Sequence, residues 1–418
     1  MSLIVFEDSL AENFYPLTFT RASFELLSGT KTLLGSIVED FAAEQVSLFA
    51  RSYLNGVLKQ RLPGYQVNKL ASDGDIVVAN ALLNTNSADV SKLMRRKGRF
   101  VALSRGKVVA ARVPTKQLRK PDEKSTFTAL AKTKEYDVVK VQASALYRYP
   151  WELVDGNAEA IGKEAKHVSE KSLGAGIHIT GPKGLALISQ NANLEPPVAL
   201  NTVNGPVMID EKAAIQAMSR LEGPCYIGRA TRVRSALIGG GTSIGNSCVV
   251  GGEIEHSIIQ GYSNKAHLGY LGHSIVGSWV NLGAQTTNSN LKNTYGTIKT
   301  RIGKQEVSTS RMKAGCYIAD DAKTAIGSLI LAGKSIGVAS HLYGIATEEV
   351  PSFTIYAKSL GREAYEMELD SAIETQKRMM SRRGVKQTRE DATLLRKIFR
   401  LTSAERVSSK VIKGRFKI

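Results

Sequence analysis

Aliphatic side chains recur at every sixth position through much of the second half of this chain. Ile209, Ile215, Leu221, Ile227 and Val233 form one run, and Ile238, Ile244 and Val250 a second, with Gly239, Gly245 and Gly251 each one residue on. Ile258, Asn264, Tyr270, Val276 and Leu282 share a third register, and Ile318, Thr324, Ile330, Ile336 and Leu342 a fourth. A helix of 3.6 residues per turn cannot keep residues six apart on one face over so many repeats, whereas a triangular coil of short strands can. The spacing therefore predicts a parallel β-helix over residues 175–350, each aliphatic entering a narrow interior and each Gly relieving a corner. The alternative is a sandwich of short strands with accidental spacing.

The flanking segments read differently. Residues 1–150 alternate apolar strand-like runs (SLIVFED, QVSLFARS, DIVVANALL, RFVALSRGKVVAARV) with helix-like pieces such as Lys31 to Ala43. Such alternation argues for an α/β layer domain with a mostly parallel sheet. Residues 151–174 read as a helical linker anchored by Trp151. Past Gly344 the period of six ends, and Lys358 to Arg383 and Arg389 to Arg400 show helical spacing, with Asp391 three residues after Thr388 marking a helix start. Residues 351–418 are thus expected to form a basic helical tail with a flexible end.

Composition narrows the class. No apolar run is long enough to cross a bilayer, and the first residues lack the pattern of a signal peptide, so a cytoplasmic protein is expected. Cys225, Cys248 and Cys316 are far apart and lack metal-ligand spacing, which suits reduced core or surface residues. The formal net charge is +18. An excess of that size attracts polyanions at low salt, but few aromatic residues and no nucleic-acid-binding signature accompany the basic C-terminal stretch, so a dedicated nucleic-acid partner is not expected.

Between Lys265 and Thr300 a histidine sits inside the periodic region and an Asn/Thr/Lys-rich excursion follows it. Acyl transfer from a thioester to an amine needs a base titrating near neutral pH, a donor to the developing oxyanion, and cations for a sugar phosphate. His267 can supply the base. Tyr270 and Asn281 fall near it in the hexad register, and Lys265, Lys292, Lys299 and Arg301 are candidate phosphate clamps. His256, His273 and His341 have no comparable setting and are read as structural.

The stretch His267-Leu268-Gly269-Tyr270-Leu271-Gly272-His273, continued by Gly277, Asn281, Gly283, Ala284 and Thr286, resembles a motif of the bifunctional UDP-N-acetylglucosamine pyrophosphorylase/glucosamine-1-phosphate N-acetyltransferases. The wider chain, with IVFEDSL, FYPLTFTR, GYSNK and NLKNTYGT, is similar to the GlmU-like sugar nucleotidyltransferases. The resemblance implies a left-handed parallel β-helix of hexapeptide repeats, a homotrimer, and acetyl-CoA as co-substrate for N-acetylation of an amino-sugar 1-phosphate in UDP-N-acetylglucosamine biosynthesis. It implies His267 as the catalytic base, Tyr270 and Asn281 as acceptor-binding, with Lys299 near the acceptor-binding lysine, and Ala284 as a coenzyme A contact; Lys265 is read as acceptor-binding from its place beside His267. His273, Gly269 and Gln285 stand where the motif has Asp, Thr and Gly, departures that bear on acceptor identity.

The first domain departs further. Sugar-1-phosphate nucleotidyltransferases open with a glycine-rich loop whose N–H groups cradle phosphates. Here Phe6 to Asn13 replaces that loop, while Tyr15-Pro16-Leu17-Thr18, Arg21 and Gly29-Thr30-Lys31 keep neighbouring features. Asp8, Arg21 and Lys31 are the candidate nucleotide contacts for UTP or dTTP, with Asp8 holding Mg²⁺, and Asn80 stands where a metal-binding Asp is usual. A degenerate, regulatory first domain is the alternative. Two rival readings remain: a nucleotidyltransferase whose β-helix only trimerises, and a noncatalytic trimeric scaffold with basic tails.

Overall fold

The computed structural model describes residues 2–70, 74–118, 126–133, 135–165 and 174–416. The chain divides into two compact units, one of residues 1–26 and 31–152, the other of residues 27–30 and 153–418.

The first unit is built on a seven-stranded sheet. Ser2–Phe6 lies at its centre, parallel to Gln45–Phe49 on one side and to Asp75–Asn80 on the other. Gln66–Val67 extends one edge, and Lys107–Pro114, Phe100–Ser104 and Asp137–Lys140 extend the other. Only Lys107–Pro114 runs antiparallel to its neighbours. The central run Leu3–Phe6 is apolar at every position because both faces are covered: Leu3, Ile4, Val5 and Phe6 are all fully buried. Phe127 stacks on Phe6 at 4.8 Å and meets Phe49 edge-on, closing one face.

The second unit is a parallel β-helix, so the accidental-sandwich alternative falls. Val198 pairs with Ser219, Val207 with Cys225, Cys225 with Thr242 and Ser243 with Ile258, so that successive coils take 21, 18, 17 and 15 residues. Ile258 pairs with Ile275, but Ile275 pairs with Tyr317, a step of 42 residues. The extra chain is the polar excursion, which carries the hairpin Lys299–Ile302 with Gln305–Ser308. Ile209, Ile215, Leu221, Ile227 and Val233 all point into one core with Ile238, Ile244 and Val250, as their spacing predicts. Burying each such side chain contributes about 1.5–3 kcal/mol.

The third register needs correction. Ile259, Leu271, Val276 and Leu282 face inward, whereas Asn264 and Tyr270 lie on the outer surface of their strands. The step from 271 to 276 is five residues, so the phase slips by one. The inward slot beside Asn264 belongs to Lys265, which pairs with Val250 in the ladder and is 3% exposed. All three cysteines are buried and free.

The tail is helical and docks on the coil. Leu369–Ser381 and Arg389–Leu401 are joined through Thr388, whose hydroxyl accepts the Asp391 N–H at 3.2 Å while the Asp391 carboxylate accepts the Thr388 N–H at 3.0 Å. The reciprocal cap matches the sequence signal. The expected flexible end is not found as far as residue 416: Ile412 donates to the Ala364 carbonyl at 2.9 Å, and Phe416 lies against Tyr343. Val411, packed against the core among the basic residues, supplies apolar adhesion. Lys417 of the basic terminus, and residues 166–173 of the expected helical linker, lie outside the described residues; the linker helix itself spans Pro150–Glu164.

Candidate active site

His267 sits on the corner between strands Asn264–Lys265 and Tyr270–Gly272. The corner is tight. Gly269 has φ +124°, and a Cβ there would come within 2.2 Å of the Thr286 carbonyl on the next coil, so only glycine fits. The Gln285 N–H donates to the Leu268 carbonyl at 2.9 Å, tying the corner forward. The chain thereby turns the imidazole outward, and His267 is exposed.

It opens on a cavity of about 790 Å³ that also receives Asn281 and Ala284. Three cations of the coil line it, Arg232, Arg234 and Lys323, and three of the tail, Arg378, Arg382 and Arg383; no carboxylate is among its described lining residues. Arg383 Nη2 donates to Asn264 Oδ1, and Asn264 in turn donates to Asn281 Oδ1 at 3.4 Å. Burial lowers the pKa of Lys323, against the opposing pull of Asp321, and likewise that of Arg383. Arg378 pairs with Glu374 at 3.3 Å outside the cavity lining, and the remaining concentration of positive charge marks a site for an anion. Tyr262 and Trp279 stack at 4.3 Å on one wall. The tail helix is pinned beside the cavity by Gln376, which donates to Asp321 Oδ2 at 2.9 Å.

Of the residues expected around His267, the cavity gathers Asn281 and Ala284 and leaves out five, Lys265, Tyr270, Lys292, Lys299 and Arg301. Lys265 turns into the prism, where its ammonium donates to the carbonyls of Gly251 at 2.8 Å and His267 at 3.1 Å; it cannot reach an acceptor from there. Tyr270 points along its own strand, away from His267, and donates to Glu255 at 2.5 Å while accepting from Asn290 at 2.6 Å. Burial first, then the neighbouring His256, pushes His273 of the same cluster down to about 4. Lys299 lies exposed on the excursion hairpin, paired with Glu306 at 2.8 Å. The tail arginines were missed: their basic, helical spacing was visible, but not the coil face they reach.

In the first unit Asp8 and Lys31 are otherwise engaged. Asp8 caps a short 3₁₀ helix by accepting from the Leu10 N–H at 2.8 Å, and burial raises its pKa. Lys31 pairs with Glu39. The Arg21 carbonyl accepts from Arg51 at 2.8 Å. Arg51 and Glu7 form a buried two-pronged pair, Nε to Oε2 and Nη2 to Oε1, both at 3.0 Å. Tyr15 and Tyr53 flank its guanidinium. Asn80 serves backbone groups, bonding the Val108 carbonyl and the Leu82 N–H. Among the described residues no three of His, Cys, Asp and Glu converge as a metal set. Asp8, the carboxylate expected to hold Mg²⁺, commits Oδ1 to its cap.

The fold and site define a protein with a nucleotidyltransferase-type α/β unit, a parallel β-helix carrying a corner histidine, and a helical tail. Residues 3–172 match the family model described as sugar nucleotidyl transferase. A bifunctional sugar-1-phosphate nucleotidylyltransferase/acetyltransferase of Sulfurisphaera tokodaii is 33% identical over 91 residues, 22% of this chain and 23% of that protein. The bifunctional protein GlmU of Sphingopyxis alaskensis is 29% identical over 195 residues, 42% of this chain and 41% of that one. The chain spans less than half the length of either of these relatives. The UDP-N-acetylglucosamine acyltransferase structure of Francisella novicida superposes on 56% of this chain and 94% of its own, at 11% identity and a TM-score of 0.26. No described helix is long and apolar enough to cross a membrane.

Proposed function

We propose that the β-helix carries out acetyl-CoA-dependent N-acetylation of an amino-sugar 1-phosphate of the glucosamine-1-phosphate kind, in a cytoplasmic homotrimer serving UDP-N-acetylglucosamine biosynthesis. The observation that carries this reading is His267, with Asn281 and Ala284, opening on a cavity lined by six cations and no carboxylate. An acyl donor bearing phosphates is held there by Arg232, Arg234 and the tail arginines. In its neutral form His267 takes the proton of the acceptor ammonium. The freed amine bonds to the thioester carbonyl carbon, the carbonyl oxygen becomes an oxyanion facing the Asn281 amide, and the C–S bond breaks. The imidazolium returns its proton to the departing thiolate, and the adduct nitrogen releases its second proton to solvent, leaving the neutral amide. Thiol release from acetyl-CoA with glucosamine 1-phosphate tests this: His267→Ala is expected to abolish it with the fold intact, and unchanged release removes His267 from the mechanism.

The family match over residues 3–172 favours a second activity, nucleotidyl transfer from UTP or dTTP to the sugar 1-phosphate in the first unit. Pyrophosphate release measured with Mg²⁺ present decides it. With Lys31, Asp8 and Glu7 already engaged, failure there leaves the acetyl-transfer reading intact.

A further inference from the structure

The inward ladder of one β-helix face runs Ile215, Val233, Val250 and then Lys265, a lysine where every earlier rung is aliphatic. An ammonium is costly to bury unless hydrogen-bonded. Here no described carboxylate bonds it; it is held by two carbonyls, one on the coil before and one belonging to His267 itself. Room for it is left by Gly252, at φ +73°, where a Cβ would lie 3.0 Å from both the ammonium and the His267 carbonyl. Burial brings the Lys265 ammonium down to about 8, with exposed Glu253 opposing.

We infer that Lys265 is a positioning residue, its ammonium clamping the 266–269 corner to the preceding coil so that the His267 imidazole is held toward the cavity. The inference rests on His267 acting as the base, and it replaces acceptor binding as the role of Lys265. A hydrophobic residue would serve the core equally well, so a purely structural need does not explain a lysine at this rung.

The test uses the full chain with Lys265→Met, which fills the same space without donors, and Lys265→Gln, which keeps an amide donor. Two readouts are taken: amide hydrogen exchange of Glu253 and Gln285, whose N–H groups donate to the corner carbonyls of Gly269 and Leu268, and steady-state thiol release from acetyl-CoA with glucosamine 1-phosphate. For Lys265→Met the thermal midpoint is expected to hold or rise, exchange at the corner to quicken by about tenfold or more, and kcat to fall by about 10- to 100-fold with little change in the KM for acetyl-CoA. Lys265→Gln should fall between, and decides on the same readouts if the Met variant does not fold. Unchanged corner exchange overturns the clamp, and faster exchange with unchanged kcat overturns its bearing on His267. Absence of thiol release from the unmodified protein instead sinks the acetyl-transfer reading, while the exchange measurement still judges the clamp.

Discussion

Arg406→Ala should release the tail from the coil without unfolding the coil. The guanidinium is 2% exposed, donates to Glu366 at 2.6 Å, to Thr402 Oγ1 at 2.9 Å and to the Phe399 carbonyl at 2.8 Å, and lies 4.1 Å from the Phe399 ring centroid. Breaking a buried pair by removing one partner costs about 3–5 kcal/mol. The Glu366 side chain is 23% exposed, so water recovers part of that carboxylate's solvation, and about 2–3 kcal/mol is the better figure. Because 1.36 kcal/mol is tenfold, the open tail should become about 30- to 150-fold more populated. Amide exchange within Arg389–Leu401 reads this directly, with the coil amides around Ile227 and Ile244 as internal control. Acceleration below about threefold would refute the reasoning, since Arg406 would then not be holding the tail. Uniform acceleration in coil and tail alike would show that the two unfold together.

Arg378→Ala and Arg382→Ala should each raise the KM for acetyl-CoA by about two- to fivefold, as expected of exposed cations, and the difference from the parent should shrink as salt is added. Gly269→Ala, forced to φ +124° against the Thr286 carbonyl, should cost at least about 1–3 kcal/mol, read from the denaturation midpoint. Burial pushes His273 and His341 down to about 4, below the ordinary value of about 6.5. Between those pH values the unfolded chain binds protons that the folded one does not, so stability should fall as pH drops from about 6.5 toward 4. His273→Asn combined with His341→Asn should flatten that slope in denaturant titrations, and an unchanged slope would exclude them as its source.

The runs at 209–233, 238–250 and 318–342 were legible because inward positions there are mostly aliphatic and the period is unbroken. Between 258 and 282 the reading placed Asn264 and Tyr270 inside, one residue from the true rungs. A polar residue in an inward slot erases the pattern at the point where the phase also shifts. The site divides the same way. His267, Asn281 and Ala284 follow from a local motif and meet at one cavity. Tyr270 shares that motif, yet its direction is set by Glu255, a residue of the preceding coil.

Sequence alone determined the solenoid, the corner bearing His267 and the capped tail helix, since each depends on spacings of a few residues and on local backbone preference. Only the tertiary structure decided that Arg383 reaches Asn264 across 119 positions, that Arg51 neutralises Glu7 across 44, and that Lys265 points inward. Contacts between distant segments are chosen by burial and charge compensation in the assembled fold, and no periodicity along the chain records them.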